Sequence, residues 1–225
     1  MDEFLNSLYQ TFIYDDRWKM FAVGLKNTLV ISFFAVLVGL LIGFIMASGR
    51  LSKYKIFRFL SGVYIDIIRG TPTMVQLLII YFVVFATVPI SRIMVGIIAF
   101  GINSGAYIAE IIRGGILSIP AGQTEAGRSL GMTSGQTMKF IILPQTIKNI
   151  LPALGNEFIV LIKETAVIGS VARIDLVGAA LKIQSMTFDY LVPLLSIAVI
   201  YYVVIKILSI LLAKFEARLR ASDAR

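Results

Sequence analysis

Long apolar segments separated by short charged ones dominate the pattern of this chain. A helix needs about 20 mostly apolar residues, each adding roughly 1.5 Å, to cross a bilayer. Five segments approach or exceed that length, and they cover residues 21–47, 59–88, 89–112, 144–162 and 191–213. The second contains the break Gly70-Thr71-Pro72. The pattern predicts an all-α, polytopic membrane protein of about five transmembrane helices.

Basic residues are concentrated in the segments that follow the first, third and fifth apolar runs. Residues 50–58 carry four positive charges and no negative one, and residues 113–148 carry four against the single acid Glu125. The C-terminal tail also carries basic residues, among them Lys214, Arg218 and Arg220. Short basic loops face the cytoplasm. We therefore expect the C-terminus to be cytoplasmic and the N-terminus, where acids outnumber bases, to face outside.

Composition agrees with this assignment and excludes several kinds of chemistry. Hydrophobic residues make up 58% of the chain and charged residues 15%, against roughly 45–50% and about 25% in soluble domains. The chain has no cysteine and no histidine, which excludes disulfides, thiolate metal sites and Ser/His or Cys/His nucleophiles. The net charge of +8 reflects the cytoplasmic loops rather than nucleic-acid binding. No linker divides the chain, so we expect one transmembrane domain over residues 1–225.

Residues 1–20 mix apolar side chains with acids. This segment is either a helix lying along the membrane surface or a disordered tail. The first apolar run is too long for a signal-peptide core and no small-residue cleavage site follows it, so we expect it to remain in the mature protein.

The loop over residues 121–144 has the pattern of an ordered element rather than a simple turn. Thr124 is a candidate N-cap of a short helix with Glu125 in its first turn. Gly131 stands where a left-handed residue commonly ends a helix. This helix would lie on the cytoplasmic face without lipid to cover it, which suits docking to a soluble partner.

This loop resembles the EAA loop of bacterial ABC importer permeases. Its landmarks are Glu125-Ala126-Gly127, then Gly131 after three residues, then Ile141-x-Leu143-Pro144 after nine more. Glycine at 127 stands where the family often has alanine. The resemblance implies a coupling helix that contacts an ATPase subunit. The residues it assigns to coupling are Glu125, Ala126, Gly127, Arg128, Leu130, Gly131, Met132, Leu143 and Pro144.

Three further stretches, starting at Arg69, Asn103 and Leu151, resemble the branch of that family that takes up polar amino acids such as histidine, arginine and glutamine. The resemblance implies a type I ABC importer fold in the bacterial cytoplasmic (inner) membrane. It also implies a second permease subunit, identical or paralogous, an ATPase dimer that binds ATP and Mg²⁺, and an extracytoplasmic amino-acid-binding protein. The chain has no Gly-x-x-x-x-Gly-Lys-Ser/Thr loop, so we expect no cofactor and no ATPase activity in this subunit.

Polar residues inside the predicted spans fall on helix faces. An ionisable group in hydrocarbon costs at least about 2.5–3.5 kcal/mol, so each requires a partner or an aqueous path. The candidate path residues are Asp66, Arg69, Thr73 and Gln76 on one face of the second span, Asn103 and Tyr107 on the third, and Asn156, Glu157 and Glu164 on the fourth. An excess of acids favours a cationic amino acid such as arginine or lysine.

Internal pairing is the alternative for several of these charges. Asp66 could pair with Arg69, and Glu110, which shares the Asn103 face, is expected to pair with Arg113. Glu157 has no charged neighbour within four residues and is assigned to the path. Glutamine or glutamate transport stays open as an alternative substrate class.

Other functional classes fit less well. A passive channel or secondary transporter has no need of the 121–144 loop, and the chain shows no inverted repeat. A membrane enzyme lacks a catalytic motif. The pair Gly39 and Gly43 is either a close helix-packing site or a chance occurrence.

Overall fold

The computed structural model describes residues 2–223, and side chains from residue 3 to residue 219. Within that range the protein is all-helical. Its helices are α1 (Asp2–Leu8), α2 (Trp18–Arg50), α3 (Lys55–Gly70), α4 (Thr73–Ile79), α5 (Arg92–Leu117), α6 (Ala121–Ser129), α7 (Ser134–Thr137), α8 (Leu143–Glu164), α9 (Val167–Val171), α10 (Leu176–Thr187) and α11 (Leu191–Asp223). The chain continues α4 with a wider turn over Ile80–Val84 and enters α8 through Met138–Ile142.

Three helices in the described range are long and apolar enough to cross a membrane alone, and they correspond to the first, third and fifth predicted spans. They are α2, α5 and the Leu191–Leu219 part of α11. The second predicted span is a bent pair, because Lys55–Gly70 and Thr73–Val84 meet at 105°. The fourth corresponds to α8, which has 22 residues, long enough at about 33 Å but rich in polar residues. The count of five spans and the orientation of the termini stay predictions.

α5 lies at the centre of the bundle and α11 at its edge. In the most apolar stretch of each helix, 67% of residues are buried in α5 and 6% in α11. The main core joins α2 and α5 to α8 and α9 through Ile31, Phe100, Leu161 and Ile168, all of which are almost fully buried. The surface of α11 is therefore left for lipid or another subunit.

Small residues let α2 and α5 approach closely. A β-carbon added at Gly43 would lie 2.6 Å from Ile108 Cγ2, and one at Gly39 would lie 3.2 Å from that residue's Cδ1. The relation is reciprocal, because β-carbons at Gly101 and Gly105 would meet α2 side chains at 2.6 Å and 2.8 Å. The Gly39/Gly43 pair is thus a packing site, as small residues four apart often are in membranes.

The N-terminal segment is helical rather than a tail. α1 is followed by a wider helical turn over Tyr9–Ile13 and a tight one over Tyr14–Asp16, where Asp15 and Asp16 adopt positive φ angles of 56° and 55°. The Ser7 hydroxyl contacts the carboxylate of Asp189, immediately before α11. The first helix and the start of the last helix therefore lie on the same side of the molecule, as the predicted topology requires. Placement of this segment on the membrane surface stays a prediction.

We expect Gly43→Leu to lower stability, because the added side chain would collide with Ile108 across the α2–α5 contact. Overpacking of this kind costs about 1–3 kcal/mol. Thermal denaturation of the purified protein in detergent measures the effect. Gly114→Leu on α5 is the matched control, since a β-carbon there has no neighbour within 4 Å. Equal destabilisation by both variants would contradict the close packing.

Candidate functional site

The loop that was predicted to couple this subunit to an ATPase begins with α6. This helix starts at Ala121, earlier than expected. The prediction that Thr124 caps the helix is wrong, because the residue before the helix is Pro120 and no side chain caps it. The backbone carbonyl of Pro120 accepts a hydrogen bond from the Gln123 N–H at 3.0 Å, so the first turn forms before Thr124 is reached. Glu125 therefore lies in the second turn, not the first.

Glycines at 127 and 131 determine the shape of the loop. Gly127 is buried, and a β-carbon there would lie 2.8 Å from Thr137 Cγ2 and 2.9 Å from Ile141 Cδ1. α6 thus packs directly on the segment leading into α8, and the glycine replaces the more common alanine where space is short. Gly131 has a φ of 83°, which confirms that a left-handed residue ends this helix.

The rest of the loop presents side chains outward. Glu125, Ala126 and Arg128 are exposed, and Leu130 is 82% exposed. The Arg128 guanidinium donates to the Met132 backbone carbonyl at 2.6 Å, which holds the turn after α6. An exposed leucine beside an acid and a base on a rigid loop is a suitable docking surface.

The loop ends where α8 begins. Leu143 and Pro144 are exposed at the first turn of α8, where the missing N–H of proline costs no helical hydrogen bond. The loop surface thus leads directly into the helix that carries Glu157.

The helix break at residues 71–72 is held by one buried side chain, that of Gln76. Its Nε2 donates to the Ile68 carbonyl at 2.7 Å, to the Thr71 carbonyl at 3.1 Å and to Thr71 Oγ1 at 2.7 Å. The bend frees carbonyls that must find donors inside a membrane protein. Gln76, which lies in α4 on the other side of the bend, supplies these donors.

The bend also corrects one of our predictions. Asp66, Arg69, Thr73 and Gln76 do not share a face of one helix, because the helical register stops at Gly70 and resumes at Thr73 in a new direction. Asp66 and Arg69 are exposed, Thr73 is half-buried and Gln76 is buried.

Asn103 joins the break to α5. It is 1% exposed, and its Nδ2 donates to Gln76 Oε1 at 2.9 Å and lies 3.5 Å from Thr73 Oγ1. Its own Oδ1 is buried and has no hydrogen-bond partner among the described residues. The structure thus brings Asn103, Thr73 and Gln76 together.

The residue after Asn103, Ser104, bonds to a different neighbour of α5, the helix α8. Ser104 Oγ donates to Glu157 Oε1 on α8 at 2.8 Å. The sequence analysis missed Ser104 as a site residue, although it follows Asn103 directly and is 100° further round the helix. Two consecutive residues of α5 therefore connect α4 to α8.

A charged cluster lies further along α5. Glu110 forms a two-pronged pair with Arg113 at 2.9 Å and 2.7 Å, which confirms the predicted internal pairing. Arg69 lies over the Tyr107 ring at 5.4 Å and 3.9 Å from Glu110. Arg69 therefore approaches Glu110 and not Asp66, so the suggested Asp66–Arg69 pair is not formed among the described ion pairs.

The remaining path candidates lie on α8. Glu157 and Glu164 are half-buried, and neither takes part in an ion pair among the described residues. Asn156 is exposed. The structure thus joins Glu157 to Ser104 but leaves Asn156, Glu164 and Asp66 apart from the polar network of this single subunit.

The comparisons with known proteins agree with this architecture. Residues 39–221 match the family model of binding-protein-dependent transport system inner membrane components. A putative glutamine transport system permease protein of Rickettsia typhi is 41% identical over 87% of this chain and 91% of its own length. An arginine transport system permease protein of Bacillus subtilis is 36% identical over 89% of this chain and 92% of its own.

A solved structure has the same fold. It is a crystal structure of an amino acid ABC transporter with histidines, and it shares 46% identity and a TM-score of 0.85 over 89% of this chain and 94% of its own. The all-α, type I importer fold that was predicted is therefore confirmed.

We expect Gln76→Leu to destabilise the protein by about 1–3 kcal/mol, because it removes the donor to the Ile68 and Thr71 carbonyls and the acceptor of the buried Asn103 amide. Denaturation in detergent measures the loss. Gln123→Leu on the exposed surface of α6 is the control and should change stability by less than about 0.5 kcal/mol. A neutral Gln76→Leu would mean that other groups hold the break.

Proposed function

The chain belongs to the family of binding-protein-dependent transport system inner membrane components and is the permease subunit of an ABC amino-acid importer, and from this premise we propose that it carries a polar or basic amino acid such as arginine or lysine. The relatives are named for different substrates, glutamine and arginine among them. The choice between substrates therefore rests on the charges of the path.

The proposal rests on the burial and the bonding partners of Glu157. It is half-buried in α8 and accepts a hydrogen bond from Ser104, yet no ion pair neutralises it within the described residues. Arg69 and Arg113 are both directed to Glu110. The α8 side of the path thus keeps a negative charge, which favours a cationic substrate.

Glutamine or another uncharged polar amino acid is the second candidate. Gln76 and Asn103 are buried amides, and Asn103 Oδ1 has no donor among the described residues. A substrate N–H would satisfy that oxygen whether the substrate is an amide or a guanidinium. This contact supports polar substrates as a class, whereas Glu157 favours the basic ones.

Coupling to ATP hydrolysis is assigned to the exposed face of α6 and the turn after it. We propose that this surface docks in a separate ATPase subunit, which binds ATP and Mg²⁺, and that this chain has no catalytic role. A second permease subunit, identical or paralogous, would complete the path, and an extracytoplasmic binding protein would deliver the amino acid.

The proposed mechanism is alternating access. ATP binding closes the ATPase dimer and draws the two docked α6 helices together. Since α6 packs through Gly127 on the segment that leads into α8, its movement is transmitted to the helix that carries Glu157. The path then opens outward, and hydrolysis returns it to the inward-facing state.

The test of substrate class is ATP hydrolysis in proteoliposomes that contain this chain, its partner ATPase and its binding protein. Stimulation by arginine or lysine alone supports the proposal. Stimulation by glutamine or glutamate instead would keep the importer and reject the basic substrate. Absence of association with any ATPase would favour a passive channel.

We expect Glu157→Gln to weaken uptake of labelled arginine or lysine at least about tenfold, because it removes an uncompensated charge from the path. Assembly with the ATPase should be unchanged, as gel filtration can show. Glu216→Gln near the end of α11 is the control and should transport normally. Unaltered uptake by Glu157→Gln would remove this residue from the path.

We expect Glu125→Lys to uncouple ATP hydrolysis from uptake, because it reverses a charge on the proposed docking surface. The ratio of ATP hydrolysed to amino acid taken up should rise severalfold. Gln123→Lys adds a charge to the same exposed helix about 200° away and should leave the ratio near the wild-type value. The assignment of the docking face fails if both variants behave alike.

A further inference from the structure

A groove separates the first turns of α2 from α10. It encloses about 420 Å³. Its apolar lining includes Met20, Val23 and Ala179, and its basic lining consists of Lys19, Arg173 and Lys182. Neither the transport path nor the docking surface uses these residues.

The groove has an excess of positive charge. Arg173 and Lys182 are exposed and form no ion pair within the described residues, whereas Lys19 pairs with Asp16. Lys26 is also exposed and lies two turns beyond Lys19 on the same face of α2. Cations here are unexpected, because this end of α2 is on the side that the positive-inside rule leaves poor in cations.

The one acid that lines the groove does not neutralise it by contact. Asp175 is fully buried, and its Oδ1 accepts the Gly178 N–H at 2.9 Å to cap α10. None of the described ion pairs involves Asp175. Two cations therefore remain available at the groove.

The groove also extends along α2 and is bordered by closely packed backbone. Its lining runs from Lys19 to Asn27, about 12 Å along α2, and the Asn27 side chain donates to the Ile174 carbonyl at 2.6 Å. Arg173 adopts a φ of 52°, and a β-carbon at Gly178 would lie 2.5 Å from its Cα. The turn that carries Arg173 is thus packed in a fixed position.

We propose that this groove binds the phosphate headgroup of an anionic phospholipid. Arg173 and Lys182 contact the phosphate, Lys26 reaches up to it from within the bilayer, and an acyl chain lies against Met20, Val23 and Ala179. An acidic protein surface is the competing occupant, but it would leave the apolar side chains of Met20, Val23 and Ala179 without a matching partner. Basic pockets between membrane helices are suited to such headgroups.

The test is phospholipid binding to the delipidated permease–ATPase complex in detergent, followed by native mass spectrometry. The probes are phosphatidylglycerol, zwitterionic phosphatidylcholine and inorganic phosphate. Each basic residue near a phosphate contributes about fivefold in affinity. We therefore expect Arg173→Gln/Lys182→Gln to weaken phosphatidylglycerol binding about 25-fold, with weak binding of phosphatidylcholine throughout.

Two further variants separate the groove from general charge effects. Lys53→Gln/Lys55→Gln removes two exposed cations elsewhere and should bind phosphatidylglycerol as the wild type does. Val23→Trp fills the groove without changing its charge and should weaken binding as well. The proposal is overturned by unchanged binding in Arg173→Gln/Lys182→Gln, by an equal loss in the control pair, or by inorganic phosphate displacing the lipid at millimolar concentration. The proposal is also overturned if Arg173→Gln/Lys182→Gln weakens association with the amino-acid-binding protein and leaves phosphatidylglycerol binding unchanged.

Discussion

The close contact between α2 and α5 is the constraint on which the rest of the structure depends. Membrane helices gain little from the hydrophobic effect among themselves, so they associate where their backbones can approach and pack. Glycines on both helices provide that approach. The contact places α5 at the centre of the bundle, and the side-chain bonds that join α4 and α8 to the candidate path start from this helix.

From that central position α5 joins two helices by consecutive residues. Asn103 bonds to Gln76 across the break, and Ser104 bonds to Glu157 on α8. A broken helix in a membrane leaves carbonyls that require donors, and Gln76 meets that need while it holds Asn103. The same side chain thus stabilises the bend and connects it to α5, whose next residue bonds to α8.

Charge is arranged differently in three parts of the molecule. Near the end of α5, Arg69 and Arg113 both approach Glu110, so the negative charge there is compensated. Glu157 on α8 lacks an ion pair in the described range, which leaves that side negative. The groove beside α10 carries uncompensated cations, which in a bilayer require anions from outside the chain. The described parts of one subunit therefore indicate where the substrate and the lipid are expected.

Patterns along single helices determined what could be predicted from the sequence alone. Apolar run length predicted α2, α5 and α11, spacing predicted the Glu110–Arg113 pair, and the landmarks from Glu125 to Pro144 located the loop proposed for coupling. Such features depend on neighbours within about two turns. The 105° bend, the Ser104–Glu157 bond and the basic groove depend on which helices meet and at what angle. Those angles follow from side-chain packing across the whole bundle, so only the tertiary structure decided them.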